Sequence, residues 1–121
     1  MKYMLLIYDN ADTRERFFSA EGKTLGQEID TLMAELTASG ELVGGEALAD
    51  PTQTRSIRGQ DGVPVVTDGP LAEAKEHFGG YLIVDCDTPE RATEIAARWP
   101  NARFAAMEVR PIMSVGGEQD L

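Results

Sequence analysis

The hydrophobic and polar positions of the first forty residues predict one strand followed by one amphipathic helix. Residues 2–8 are mostly apolar, which is typical of a central strand covered on both faces. Residues 10–22 are polar and lack a sustained period, so they predict a loop with one helical turn around Thr13–Phe18. A helix is predicted over Thr24–Ser39, capped by Thr24 with Gln27 as its reciprocal partner and stopped by Gly40. Its apolar face comprises Leu25, Ile29, Leu32, Met33 and Leu36.

The rest of the chain predicts several short strands and one more helix. Thr88 followed by Pro89 is typical of a helix N-terminus, and we expect this helix to run to about Trp99, where Pro100 stops it. Gln60-Asp61-Gly62 predicts a hairpin turn. The predicted strands are Leu42–Leu48, Thr54–Arg58, Val63–Thr67, Gly80–Asp85 and Phe104–Ile112.

This order of elements predicts an α+β fold. Without the hairpin of residues 54–67, the order is βαββαβ, which is the ferredoxin-like arrangement of an antiparallel sheet with both helices on one face. The hairpin is then an insertion. Because two helices cover only one face of the sheet, a second copy of the sheet is the simplest cover for the other face. The sequence therefore predicts a homodimer of the dimeric α+β barrel type.

Length, composition and charge narrow the class of protein. The 121 residues predict one domain over residues 1–113, and residues 114–121 are small, polar and acidic, as in a flexible tail. The net charge of −10 argues against nucleic acid and anionic membranes as partners, since both attract clustered Lys and Arg. No segment predicts a signal peptide or a membrane span, so we expect a cytoplasmic protein.

Cysteine and histidine are too scarce for common cofactor chemistry. The single cysteine, Cys86, predicts a buried structural thiol, and His77 is the only histidine. One His and one Cys cannot build a zinc site, and no spacing of carboxylates is typical of a calcium loop. We therefore expect neither a metal nor a cofactor. Asp9, Asp12 and Glu15 are interpreted as acids of a solvated loop.

The connection between the predicted strands 63–67 and 80–85 is longer and more charged than a simple hairpin requires. Gly69 can adopt a positive φ, and Pro70 fixes its own φ and restricts that of Gly69. A tightly shaped turn that presents Asp68, Lys75 and Glu76 is therefore predicted. We call residues 68–80 the signature loop.

The signature loop also carries a resemblance to a known family. Its sequence, DGPLAEAKEHFGG, is similar to the signature of the DGPF branch of the YCII-related family, with Leu71 in place of the usual Phe. Residues 1–8, 44–48 and 109–111 resemble the first, second and closing strands of that family. The resemblance covers roughly residues 1–112. It implies a small dimeric domain of ferredoxin-like architecture with a pocket near the subunit interface.

The candidate ligand-binding site combines this implied pocket with the charged loop. A lysine near carboxylates could bind a small anion, so the first hypothesis is a domain that binds a small molecule. In the structural alternative, Asp68 satisfies backbone N–H groups of the turn, and Lys75 pairs with Glu76. The candidate residues are Glu46, Asp68, Gly69, Pro70, Lys75 and Glu76.

Two further hypotheses belong to other functional classes. The domain could be an enzyme of lyase or isomerase type that uses a pocket carboxylate or His77 as an acid or base. The alternative for His77 is a packing or solvent-facing residue at the start of a strand. The resemblance also implies a regulatory or interaction module associated with an extracytoplasmic-function sigma factor.

Overall fold

The computed structural model describes residues 1–72 and 74–113. The tail predicted over residues 114–121 lies outside the described residues. In chain order, the elements are β1 Lys2–Asp9, α1 Ala11–Phe18, α2 Gly22–Ser39, β2 Leu42–Ala47, β3 Arg55–Gln60, β4 Val63–Asp68, β5 His77–Asp85, α3 Pro89–Arg98, α4 Asn101–Phe104 and β6 Ala106–Pro111.

The strands form the predicted ferredoxin-like arrangement. A four-stranded sheet has the order β2-β5-β1-β6, and its neighbouring strands are all antiparallel. The strands β3 and β4 pair only with each other in a separate two-stranded sheet. The prediction of an α+β fold with an inserted hairpin is therefore confirmed.

The core lies between one face of the sheet and the helices α2 and α3. Alternate residues of β1 point into it, and Tyr3 and Leu5 pack in one cluster with Leu32, Leu36 and Ile95. The intervening side chains of β1 are only half-buried, because they lie on the opposite face of the sheet. Helices that cover one face only were predicted, and this is confirmed.

The helix α1 is longer than the sequence predicts. A loop with one helical turn was expected, but a regular helix spans Ala11–Phe18. Asn10 caps it: its side chain accepts a hydrogen bond from the Thr13 backbone, and the Thr13 hydroxyl accepts one from the Asn10 backbone, both at 2.8 Å. This local cap stabilises a helix whose apolar pattern is too weak to predict it.

The second helix begins earlier than its predicted cap. Glu21 already has helical backbone angles, and its carbonyl accepts a hydrogen bond from Leu25 at 3.1 Å. Because Thr24 lies inside this first turn, the expected cap by Thr24 and Gln27 was wrong. The helix ends as predicted at Gly40. Among residues 1–72 and 74–113, no helix is both long and apolar enough to cross a membrane.

The strands β5 and β6 do not start at the residues predicted from the sequence. The final strand was predicted from Phe104, but residues Asn101–Phe104 form a helical turn and β6 starts at Ala106. Pro100 ends α3 as expected, and its own helical angles then start α4. The strand β5 begins at His77 rather than Gly80. His77 and Phe78 are therefore strand residues beside β1.

Cys86 is buried directly after β5, as predicted for a structural thiol. Its sulfur lies 3.6 Å from the Thr88 carbonyl oxygen. Burial raises the pKa of the thiol, which keeps it in the neutral, unreactive form.

An ion pair between Glu41 and Arg91 links the start of β2 to α3. The Arg91 guanidinium donates two hydrogen bonds to the Glu41 carboxylate, at 2.8 and 2.9 Å. These bonds, followed by one from Ser39, lower the pKa of Glu41 from 4.5 to about 2. The ionised carboxylate therefore stabilises the folded state, fully above pH 4.5 and decreasingly as the pH falls toward 2.

We expect Glu41→Gln to lower the free energy of unfolding at pH 7 by roughly 1 kcal/mol, a modest value because Arg91 is partly exposed to solvent. The difference from the wild type should shrink between pH 4.5 and 2, where Glu41 becomes protonated. Urea denaturation at several pH values measures it. Glu94→Gln is the matched control, since Glu94 touches Arg91 only at 3.5 Å and is more exposed. A pH-independent difference for Glu41→Gln would contradict the assignment.

Candidate functional site

The features singled out by the sequence gather at one end of the four-stranded sheet. There β1 and β2 finish and β5 and β6 begin, so that Asp9 pairs with His77, Ala47 with Gly80, and Tyr8 with Ala106. We call this the His77 end. Loops, helix termini and strand ends converge here, which is where binding sites are commonly built.

The signature loop starts from a fixed turn at this end. Gly69 has a φ of 88°, so the predicted positive φ is confirmed. Its N–H donates a hydrogen bond to the Thr54 carbonyl at 2.7 Å, and its carbonyl accepts one from the buried Ser56 hydroxyl. The turn is thereby tied to the start of the hairpin, which orients Pro70.

A cavity of about 400 Å³, which we call the loop cavity, lies beside this turn. Pro70 of the signature loop and His77 and Phe78 of β5 line it. The connection after β2 supplies its other walls, which include Leu48, Asp50, Pro51 and Thr54.

One wall of the loop cavity carries the Asp50 carboxylate. Hydrogen bonds from the backbone and hydroxyl of Thr52 lower the pKa of Asp50, and the charges of Arg14 and His77 contribute to this in the same direction. One guanidinium nitrogen of Arg14, Nη1, is buried without a hydrogen-bond partner among the described residues.

The structure divides the candidate residues predicted from the sequence. Pro70 lines the loop cavity, and Gly69 and Asp68 lie directly before it, whereas Glu46 lines a different cavity. Within residues 1–72 and 74–113, no hydrogen bond or salt bridge joins Asp68, Lys75 or Glu76 to another side chain. The shared ligand site of these residues stays a prediction.

The second cavity has a volume of about 310 Å³ and lies between the sheet and the helices; we call it the Asp9 cavity. Asp9 and Asn101 form its polar floor. The Asn101 side chain is buried and donates two hydrogen bonds, to Asp9 Oδ1 at 2.7 Å and to the Tyr8 carbonyl at 2.9 Å. Apolar and aromatic side chains form the walls, among them Phe17, Ile29, Met33, Leu82 and Trp99.

Glycine at position 79 is required for this arrangement. Asp9 Oδ2 packs so closely on Gly79 that a Cβ atom at this position would overlap with it. Gly79 is also the extra residue where the β1–β5 register shifts, since Ile7 pairs with Gly80 and Tyr8 with Phe78. The Asp9 carboxylate therefore packs directly on the bulge residue of β5.

Sequence reasoning missed Asp9 and Asn101. Asp9 was interpreted with Asp12 as an acid of a solvated loop, but the two differ: Asp12 forms an exposed ion pair with Arg16, whereas Asp9 faces a cavity. Asn101 was missed because α4 was not predicted. Only Gly79-Gly80 could have signalled the site, as glycines in a strand often mark a close approach. Among the described residues, no three His, Cys, Asp or Glu could jointly hold a metal ion.

Comparison with known proteins assigns the chain to a family. The model of the YCII-related domain matches residues 1–115, and the chain therefore belongs to the YCII-related family. An uncharacterised protein of Rhizobium meliloti is 26% identical over 114 residues, which cover 93% of this chain and 92% of that protein. Membership of the DGPF branch stays a prediction.

A solved structure is similar to this chain over most of the length of both. It is a 5-chloro-2-hydroxyhydroquinone dehydrochlorinase from Burkholderia phenoliruptrix in complex with 2,5-dihydroxybenzoquinone. The similarity covers 93% of each chain, with 14% sequence identity and a TM-score of 0.49.

We expect Gly79→Ala to lower the free energy of unfolding by roughly 1–3 kcal/mol, because the new methyl group would displace the Asp9 carboxylate or the strand. Gly44→Ala is the matched control on the neighbouring edge strand, since a Cβ atom there meets open space. Chemical denaturation of both variants measures the effect. Equal stabilities would show that the packing of Asp9 on Gly79 is not tight.

Proposed function

We propose that this YCII-related domain binds a small molecule in the loop cavity. The observation that carries the proposal is the anchored turn at Gly69, after which Pro70 lines a cavity of about 400 Å³ together with His77 and Phe78. A cavity of this volume is within the range of small-molecule sites. A hydrogen-bonded turn beside such a cavity supports a binding role for the signature loop.

The ligand that fits these walls best has an apolar body and an anionic group. Leu48, Pro51, Pro70 and Phe78 offer apolar and aromatic surface. His77 can donate a hydrogen bond from its ring, and Asp50 Oδ1 accepts hydrogen bonds from the backbone and the hydroxyl of Thr52. In this proposal the exposed Lys75, two residues before His77, provides the positive charge that the anionic group needs.

3-Phenylpropanoate is a suitable first probe, because it combines an aromatic body with a carboxylate. His77 is the only histidine, so its ring signals in the NMR spectrum report on the loop cavity alone. We expect the probe to shift these signals and Lys75→Ala to weaken binding by up to roughly fivefold, as for one exposed charge pair.

Lys23→Ala is the control for this experiment. It removes the same charge from an exposed position on α2, away from the loop cavity, and should leave the affinity unchanged. Unchanged His77 signals at saturating probe, or equal effects of the two lysine variants, would count against the proposal.

We also propose that a second copy of the chain covers the open face of the sheet. Met4, Leu6 and Ile83 lie on this face and remain half-exposed, opposite the face that α2 and α3 cover. Tyr8 and Phe78 extend the apolar surface, with their rings edge to face at 5.9 Å. Face-to-face packing of two such sheets would remove this surface from water.

Leu6→Glu should convert the dimer to a folded monomer, because it adds a charge at the centre of the open face. Ile57→Glu is the control, since Ile57 is exposed on the hairpin and not on the four-stranded sheet. Sedimentation equilibrium gives the mass, and far-UV circular dichroism verifies the fold. A monomeric wild type at micromolar concentration would overturn this part of the proposal.

A further inference from the structure

We infer that the Asp9 cavity is a second binding site, which accepts the cationic group of a small apolar amine. This inference does not depend on the proposed function of the loop cavity. The two cavities share none of their lining residues: they meet between Ala47 and Leu48 of the β2 segment and between Phe78 and Gly79 of β5. Each can therefore be tested while the other is unchanged.

The charge of the cavity favours a cation. The Asp9 carboxylate faces it, and among the described residues that line it there is no Lys, Arg or His. Asn101 satisfies Asp9 through Oδ1, but a carboxylate can accept several hydrogen bonds. A carboxylate in an apolar environment gains most from a partner of opposite charge. An ammonium group supplies both the charge and the donors.

The walls favour an organic cation over a metal ion. Two aromatic residues, Phe17 and Trp99, line the same cavity as the Asp9 carboxylate. Aromatic faces attract ammonium groups through their quadrupole, and Ile29 and Met33 add apolar surface for the body of the ligand. A bare metal ion would gain nothing from these walls.

The Glu46 carboxylate lies on the other face of the sheet. Glu46 pairs with Tyr81, and Tyr81 pairs with Leu6 of the open face, so these side chains point away from α2 and α3. There the Tyr81 hydroxyl donates a hydrogen bond to Glu46 Oε2 at 3.0 Å. The inferred binding of a cation therefore rests on the half-buried Asp9 carboxylate, which lies against Gly79.

Phenethylammonium is the probe, and Trp99 is the reporter. Trp99 is the only tryptophan in the chain and lines this cavity, so a change in its fluorescence on titration reports on this site alone. We expect phenethylammonium to change the fluorescence saturably. The neutral 2-phenylethanol and the anionic 3-phenylpropanoate should bind at least roughly tenfold more weakly here, since they lose the charge-assisted hydrogen bond.

Asp9→Asn tests the role of the charge while keeping the oxygen that accepts from Asn101. We expect it to weaken phenethylammonium binding by roughly tenfold or more. Asp30→Asn is the matched control, because it removes an equal charge from an exposed position on α2 outside the cavity. If Asp9→Asn unfolds, the comparison of the three probes on the wild-type protein tests the preference for a cation by itself.

These binding measurements decide whether the Asp9 cavity accepts a cation. A tenfold loss in Asp9→Asn, together with an unaffected Asp30→Asn, supports the site. Equal binding of the three probes, equal losses in the two aspartate variants, or no change of Trp99 fluorescence overturns it. The His77 ring signals follow the loop cavity in the same samples, so failure of one site is distinguishable from failure of the other.

Discussion

The packing of the Asp9 carboxylate on Gly79 determines how the two central strands meet at the His77 end. Gly79 is the extra residue in the β1–β5 register, and the absent side chain leaves the space that the carboxylate fills. Its carbonyl also accepts a hydrogen bond from Leu48 at 2.9 Å, which extends the contact with the β2 segment. Asn101 then links the carboxylate to α4. Three parts of the chain are thereby held around one contact.

This contact also separates two cavities of different chemical character. Beyond the bulge, His77 and Phe78 line the loop cavity, for which we propose an apolar ligand with an anionic group. On the other side, Gly79 and Gly80 line the Asp9 cavity, where the Asp9 carboxylate and two aromatic residues support our inference of a cationic ligand. Under these two proposals, the domain recognises two different groups at one end of its sheet.

The sequence predicted the fold better than the site, for a physical reason. The amphipathic face of α2, the cap at Thr88 and the apolar run of β1 are local patterns, and each is confirmed. The contact of Asp9 with Asn101 joins residues 92 positions apart, and no local pattern encodes it. The helix α4, which carries Asn101, is too short to show a period. The grouping of Glu46 with the signature loop, the homodimer and the sigma-factor partner stay predictions.

Crystals soaked with a small fragment library that contains equal numbers of amines, carboxylates and neutral molecules would locate both binding sites in one experiment. We expect fragments to concentrate at the His77 end, with carboxylates near His77 and amines near Asp9. The opposite end of the sheet, where Cys86 and Arg91 border another cavity, serves as the internal reference. Fragments that bind mainly at that end, or that occupy the two His77-end cavities without regard to charge, would rule out two sites of opposite charge preference.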